Sequence, residues 1–248
     1  MIKYIILDLD GTLYEQKSVV GKTLQDFCTL NNLEFKKIEY GYRKAYNKVK
    51  NTDRTFPSIK EFFKEVDNQF LPLINMEPNK KNLKQLEKLA DKAKVKVLLN
   101  IKPRAGVKQF LNYTKNQGIK TIIFSGSHQI HKHIKLDETK ESFSEKLKFK
   151  KKQVEKLGIQ HLIDEVISTT KFGGYKPQKK VFNNLVKYLN CNPHECLMIG
   201  DSYNDIAAKE IGMKTILLKN KEKKGPWKPD YTATSFKEIQ EIVSSTLL

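Results

Sequence analysis

Asp8 and Asp10 stand two residues apart at the end of an apolar run, Tyr4-Ile5-Ile6-Leu7, and Gly11-Thr12 follows them. Toward the other end of the chain, Asp201 and Asp205 lie in Gly200-Asp201-Ser202-Tyr203-Asn204-Asp205, again directly after an apolar run, Cys196-Leu197-Met198-Ile199. Four carboxylates gathered at one place raise one another's pKa, because like charges disfavour ionisation. A hard divalent cation with oxygen ligands relieves that conflict, and Mg²⁺ is the usual occupant where substrate phosphate completes the shell. The chemistry implied is phosphoryl chemistry.

The elements that must position these residues follow from the apolar pattern. Both runs are too short for a typical helix and are expected as fully buried strands. Lys120–Phe124, Ile163–Ile167 and Lys214–Leu218 are expected as three more strands, the second of them at an edge. Between them, residues 106–117, 177–189 and 203–211 carry amphipathic helical spacing. Strands alternating with helices imply a mostly parallel sheet with right-handed crossovers. Such sheets bind ligands at the carboxyl ends of their strands, where both aspartate pairs fall. Residues from about 15 to 102 break the rhythm. Leu24, Phe27 and Leu30, then Ile38, Tyr42, Tyr46 and Val49, then Ile59, Phe62, Phe63 and Val66, and later Leu83, Leu86 and Leu89 recur at helical spacing. This segment is expected to be an inserted helical subdomain.

Composition bounds the rest. The chain has 248 residues, 39% of them hydrophobic, enough for a substantial core. Its longest apolar runs are a handful of residues, far short of the roughly 20 a membrane span needs, so no membrane partner is expected. The first strand begins at once, which leaves no room for a signal peptide. Three cysteines, Cys28, Cys191 and Cys196, fit reduced thiols and a cytoplasmic setting. The formal net charge is +18, but arginine occurs only at Arg43, Arg54 and Arg104. Readers of duplex DNA favour arginine forks for base contacts. A solvated lysine-rich surface is therefore expected rather than a nucleic-acid interface, and its field would draw in an anionic substrate.

Taken in order, the strand with Asp8-Leu9-Asp10-Gly11-Thr12, the strand before Ser125, Lys176-Pro177, and Gly200-Asp201-Ser202-Tyr203-Asn204-Asp205 resemble the haloacid dehalogenase (HAD) superfamily. The resemblance covers residues 1–14 and 103–220. It implies a Rossmann-like α/β core of three layers and an all-helical cap inserted after the first strand. The core would comprise 1–14 and 103–248 and the cap 15–102. It also implies roles. Asp8 is the nucleophile that forms an aspartyl-phosphate, and Asp10 is the general acid and base, whose backbone carbonyl joins the metal shell. Gly11 permits the sharp turn that brings Asp10 over the site. Ser125 binds phosphate through its hydroxyl, with the N–H groups of Gly126 and Ser127 forming a small anion nest. Lys176 offsets charge between nucleophile and phosphate. Asp201 ligates Mg²⁺ and Asp205 ligates it or holds Lys176, with Ser202 and Asn204 in support. The metal set is thus Asp8, Asp10, Asp201 and Asp205. The dehalogenase branch lacks an acid at the position of Asp10, which favours phosphate over halide.

The activity implied is that of a Mg²⁺-dependent phosphatase for a small phosphorylated metabolite, such as a sugar phosphate, phospho-acid or nucleotide, working as a monomer or homodimer. A phosphomutase, a polynucleotide 3′-phosphatase and a non-catalytic binding protein are the alternatives. Residues 128–152 lengthen the usual interval and hold His128, His131, His133 and the basic run 146–152. Tyr14, Tyr40, Arg43, Tyr46 and Arg54 are candidates for substrate selection, although Tyr42 and Tyr46 fit a packed helical stripe better. Trp227 is expected to pack, or to line the lip of the site, within a loop that leads to a final helix at 235–247.

Overall fold

A computed structural model of the chain describes residues 1–15, 17–52, 54–126, 135–136, 140–218 and 225–247. The chain divides into two compact units. The first holds a six-stranded sheet made from β1 (Tyr4–Leu7), β3 (Lys120–Ser125), β5 (Glu165–Ser168), β6 (Cys196–Gly200), β7 (Lys214–Leu218) and β8 (Tyr231–Ala233). The strand order is β5-β3-β1-β6-β7-β8 and every pairing is parallel. β1, β3, β6 and β7 match the apolar runs, because a strand covered on both faces must be apolar throughout. β5 begins two residues later than expected, and β8 is an edge strand where the sequence suggests only a loop.

Helices cover both faces. On one, Val107, Phe110 and Leu111 of α5 (Val107–Asn116), Val154 and Leu157 of α6 (Lys140–Lys156), and Phe236 and Ile239 of α9 (Phe236–Ile242) pack with Ile5 and Leu7. On the other, Val181, Phe182 and Leu185 of α7 (Lys179–Leu189) join Ile6, Ile122 and Phe124. The alternation of Ile5, Ile6 and Leu7 between the two cores is the strand's period of two. Three elements end or begin differently from the periodicity. α7 starts at Lys179 rather than Pro177, and α8 (Tyr203–Ile206) gives way to a 3₁₀ turn at Ala207–Ile211. The last helix continues beyond Ile242 as a π turn, Val243–Leu247.

The second unit is built from α1 (Val19–Asn31), α2 (Phe35–Lys50), α3 (Ile59–Leu73) and α4 (Lys80–Leu99). It has its own core, in which Phe27, Tyr42, Phe62, Val66 and Phe70 are buried. Ser18, Ser58 and Asn79 cap α1, α3 and α4 by accepting from Gly21, Glu61 and Asn82 N–H groups. The unit is not wholly helical. β2 (Thr55–Phe56) pairs in parallel with β4 (Lys135–Leu136). Among the described residues no helix is long and apolar enough to cross a membrane.

Candidate active site

The strand order places β1 between β3 and β6, so the residues just beyond all three strands converge. Leu7 is level with Ile123 of β3 and Ile199 of β6. Asp8 therefore stands beside the turn that begins at Asp201 and close to the end of β3 at Ser125. It is only 8% exposed. Its Oδ1 accepts from Lys176 Nζ at 2.7 Å, and its Oδ2 accepts from Thr12 Oγ1 at 3.2 Å. Lys176 Nζ also donates to Phe124 O at 3.0 Å and to Asp205 Oδ1. Burial alone would disfavour its ammonium, but Asp205 and Asp8 outweigh that and push its pKa up. Asp8 moves the other way from an ordinary carboxyl. Burial raises it most, Asp205 and Asp10 add to the rise, and Lys176 only partly offsets them, leaving it at about 6.

Asp205 is fixed by local sequence. Its Oδ2 accepts from Ser202 N–H at 3.2 Å and Ser202 Oγ at 2.8 Å, a capping box at the start of α8. That leaves Oδ1 for Lys176. Asp201 N–H donates to Thr12 Oγ1 at 3.1 Å, which ties the turn after β6 to the turn after β1. Gly11 has φ +87°, and a Cβ there would come within 2.5 Å of Asp201 Oδ2. Both the backbone conformation and the close approach require glycine. Arg104 Nη2 and Nε donate to Gly11 O at 2.8 and 3.2 Å and hold the turn from outside.

One oxygen each from Asp8, Asp201 and Asp205 lies within 4.8 Å of the others. These are hard oxygen donors of uniform kind, and the set fits Mg²⁺. Asp10 is not part of this cluster through its side chain. Its Oδ1 accepts from Tyr14 Oη and, at 3.1 Å, from Gln153 Nε2. Its Oδ2 accepts from Ser125 Oγ at 3.3 Å and from Lys150 Nζ. Burial pushes Asp10 up, but the Lys150 charge and the hydrogen bonds from Lys150, Tyr14 and Gln153 outweigh it and hold the carboxyl at about 2. Gln153 Nε2 also donates to Tyr14 Oη at 2.7 Å.

The structure thus brings together Asp8, Asp10, Ser125, Lys176, Asp201 and Asp205. Gly126 directly follows Ser125, and a Cβ there would lie 2.5 Å from Thr169 Oγ1, so the chain can pass only as glycine. Ser127, His128, His131 and His133 lie outside the described residues. Tyr14 changes role: it is 3% exposed and serves Asp10 rather than facing a substrate. Tyr40 is exposed, and Arg43 and Arg54 pair with Glu39 and Glu65. Tyr42 and Tyr46 pack edge-on against Phe70 and Phe62, as their helical stripe suggests. They also line, with Val20, Arg43, Asn47 and Phe63, a cavity of about 380 Å³ within the second unit. Trp227 packs against the core face that contains Met198 and donates to Glu210.

Sequence reasoning misses Thr12, Arg104, Lys150 and Gln153. A signal for the last two exists. Lys150, Gln153, Val154 and Leu157 follow the i, i+3, i+4, i+7 spacing of one helix face. Val154 and Leu157 are core residues, so Lys150 occupies an inward position that a lysine rarely takes without a partner.

Comparison with known proteins agrees with this geometry. The curated relatives it matches include glyceraldehyde 3-phosphate phosphatases from two archaea. The Methanocaldococcus jannaschii protein is 34% identical over 95 residues, 36% of this chain and 42% of that one. The Methanothermobacter thermautotrophicus protein is 33% identical over 65 residues, 25% of this chain and 29% of that one. The match thus spans less than half the length of these relatives. Among solved structures, an L-2-haloacid dehalogenase from Xanthobacter autotrophicus superposes with a TM-score of 0.61 at 16% identity, over 99% of this chain and 100% of that one. A HAD phosphatase from Thermococcus onnurineus gives 0.58 at 16% identity, over 98% of each chain. The fold is shared across both activities. The haloacid dehalogenase-like hydrolase family matches residues 2–210. With most of its length matched and the carboxylate pairs at the ends of adjacent strands, the chain belongs to the haloacid dehalogenase-like hydrolases.

Proposed function

We propose that the chain is a Mg²⁺-dependent phosphatase that hydrolyses a small phosphorylated metabolite through an aspartyl-phosphate intermediate. The observation that carries this reading is the constellation of Asp8 with Lys176, Asp205 and Asp201. A carboxylate attacks a phosphate ester only where the negative charge of both is offset. Mg²⁺ held by Asp8, Asp201 and Asp205 would neutralise phosphoryl charge as a Lewis acid. The main-chain carbonyl of Asp10 belongs to the same shell in this reading.

The chain's own residues do the rest. Lys176 holds Asp8 in the direction fixed by β1 and supplies positive charge beside it. An Asp8 oxygen forms a bond to phosphorus as the bond to the leaving oxygen breaks, and Asp10, which Lys150 holds ionised in the free protein and which must therefore take up a proton from solvent in the substrate complex, gives that oxygen the proton. Water then attacks the phosphorus of the aspartyl-phosphate, and Asp10 takes the water's proton. Inorganic phosphate leaves and the Asp8 carboxylate is restored. Ser125 Oγ and the Gly126 N–H hold phosphoryl oxygens throughout. The presence of an acid at position 10 favours an ester over a halide, because a halide leaves without a proton. The phosphatases among the relatives support a small sugar phosphate as substrate, and a cytoplasmic location fits a metabolite of that kind.

Phosphate release from a panel of sugar phosphates, phospho-acids and nucleotides, with and without Mg²⁺, tests the reading. Mg²⁺-dependent release that is lost in Asp8→Asn supports it. An Asp8→Asn protein that folds, binds Mg²⁺ and still hydrolyses an aryl phosphate overturns it.

A further inference from the structure

The proposed chemistry leaves unexplained why a lysine and a glutamine from the basic segment reach the bottom of the site. Lys150 and Gln153 lie one helical turn apart on α6 and both bind the Asp10 carboxylate. Lys150 is largely enclosed, with its side chain 12% exposed. Such a lysine must be paired with charge, because an isolated buried ammonium is strongly disfavoured. Nothing in the α/β core demands it there: Val154 and Leu157 already anchor this face of α6 in the apolar core.

The informative point is which oxygen Lys150 takes. Asp10 Oδ2 accepts from Lys150 Nζ and also from Ser125 Oγ. Two donors that share one acceptor oxygen are no farther apart than two hydrogen bonds laid end to end. Lys150 therefore stands beside the hydroxyl assigned to phosphate. Asp10 Oδ1 is separately held by Tyr14 and Gln153, so the carboxylate stays oriented if Oδ2 gives up its donors. An ammonium has three hydrogens to donate. A phosphoryl oxygen entering at Ser125 can take one of them without breaking the ion pair.

Charge points the same way. Asp8, Asp10, Asp201 and Asp205 bring four carboxylates to the place where a phosphate dianion must bind, and Lys176 is committed to Asp8 and Asp205. Lys150 adds positive charge next to Asp10. In a partly buried site that matters far more than in water, because the effective dielectric is low.

We infer that Lys150 is a second phosphoryl-binding cation of this site, acting with Ser125 on the transferred group, while Gln153 and Tyr14 position Asp10. This rests on the reading of the site as a phosphatase centre. Lys150 then contacts the phosphoryl group itself, so its contribution extends to inorganic phosphate, the product stripped of any leaving group.

The test is the binding of inorganic phosphate to the Mg²⁺-loaded protein, measured by titration calorimetry for the wild type, Lys150→Met and Lys150→Arg. Lys150→Met keeps the apolar stem that crosses the core face, and Lys150→Gln serves if it does not fold. The expected result is phosphate affinity weakened about tenfold or more in Lys150→Met, the loss of one charge-assisted hydrogen bond. Substantial recovery in Lys150→Arg and unchanged Mg²⁺ affinity complete it. Equal phosphate affinity in wild type and Lys150→Met overturns the inference and leaves Lys150 as a structural counter-ion of Asp10. That outcome leaves the phosphatase reading standing, because wild-type phosphate release is measured alongside. A wild type that neither releases nor binds phosphate removes the phosphatase reading, and the role of Lys150 with it.

Discussion

One carboxyl, that of Asp8, is asked to be buried and yet to ionise. Burial and the neighbouring Asp205 and Asp10 favour its protonated form, and Lys176 only partly restores the charge, so it titrates at about 6 without metal. Between about pH 4 and 6 the folded metal-free protein holds a proton that the unfolded chain has released. Stability from this group is thus present at the acid end and declines as pH rises through that window. Mg²⁺ binding needs the carboxylate, so below pH 6 the ion must displace the proton. We predict that Mg²⁺ affinity is nearly constant from pH 7 to 8 and falls about tenfold between pH 7 and 5, with proton release on binding. Calorimetric titration in two buffers of different ionisation enthalpy measures both. An affinity independent of pH from 5 to 8 would show that Asp8 is not a ligand. Asp10 contrasts with Asp8, since Lys150 and its hydrogen bonds hold it near 2 against burial. Two carboxyls two residues apart are thus driven in opposite directions, Asp8 toward its protonated form and Asp10 toward its ionised form.

At the scale of elements, register decides which side chains can coexist. Ser125 at the end of β3 pairs with Ser168 at the end of β5. The next residues, Gly126 and Thr169, are therefore forced together. A Cβ at position 126 would meet Thr169 Oγ1 at 2.5 Å, Cγ2 at 3.1 Å and Cβ at 3.4 Å. We predict that Gly126→Ala costs about 1–3 kcal/mol by overpacking. Gly126→Ala/Thr169→Ala recovers most of that cost, because only the 3.4 Å contact remains. A double-mutant cycle by urea unfolding reads the coupling; additive losses would show that the clash is relieved elsewhere. The same scale explains what the sequence reveals. β1, β3, β6 and β7 are covered on both faces and announce themselves as unbroken apolar runs. β8 does not, because it is three residues long, lies at the sheet edge, and follows Pro229. Asp8, Asp10, Asp201 and Asp205 are legible because adjacent parallel strands deliver residues at their ends to one place. Thr12 and Arg104 are not, since their roles depend on how turns fold back on one another. Lys150 is hidden for a different reason. It sits in a run of basic residues, and only the course of α6 shows which of them turns inward.

The whole molecule is two units with separate cores, and one aromatic side chain can report on whether they behave separately. Phe62 is fully buried, and its ring meets Tyr46, Phe56 and Phe63 edge-on, all within the second unit. Asp8, Asp201 and Asp205 all belong to the first. Phe62→Ala leaves a cavity that the surrounding helices fill only in part, at a cost of about 3–5 kcal/mol. If local stability follows local packing, that loss falls on α1 to α4 and not on the parallel sheet. We predict faster amide hydrogen exchange throughout α1–α4 in Phe62→Ala, with wild-type protection kept in β1, β3 and β6. Mg²⁺ affinity should remain that of the wild type, because no ligand carboxylate is disturbed, whereas turnover of a phosphorylated metabolite should fall if the second unit selects it. Equal acceleration across both units would mean that they unfold as one.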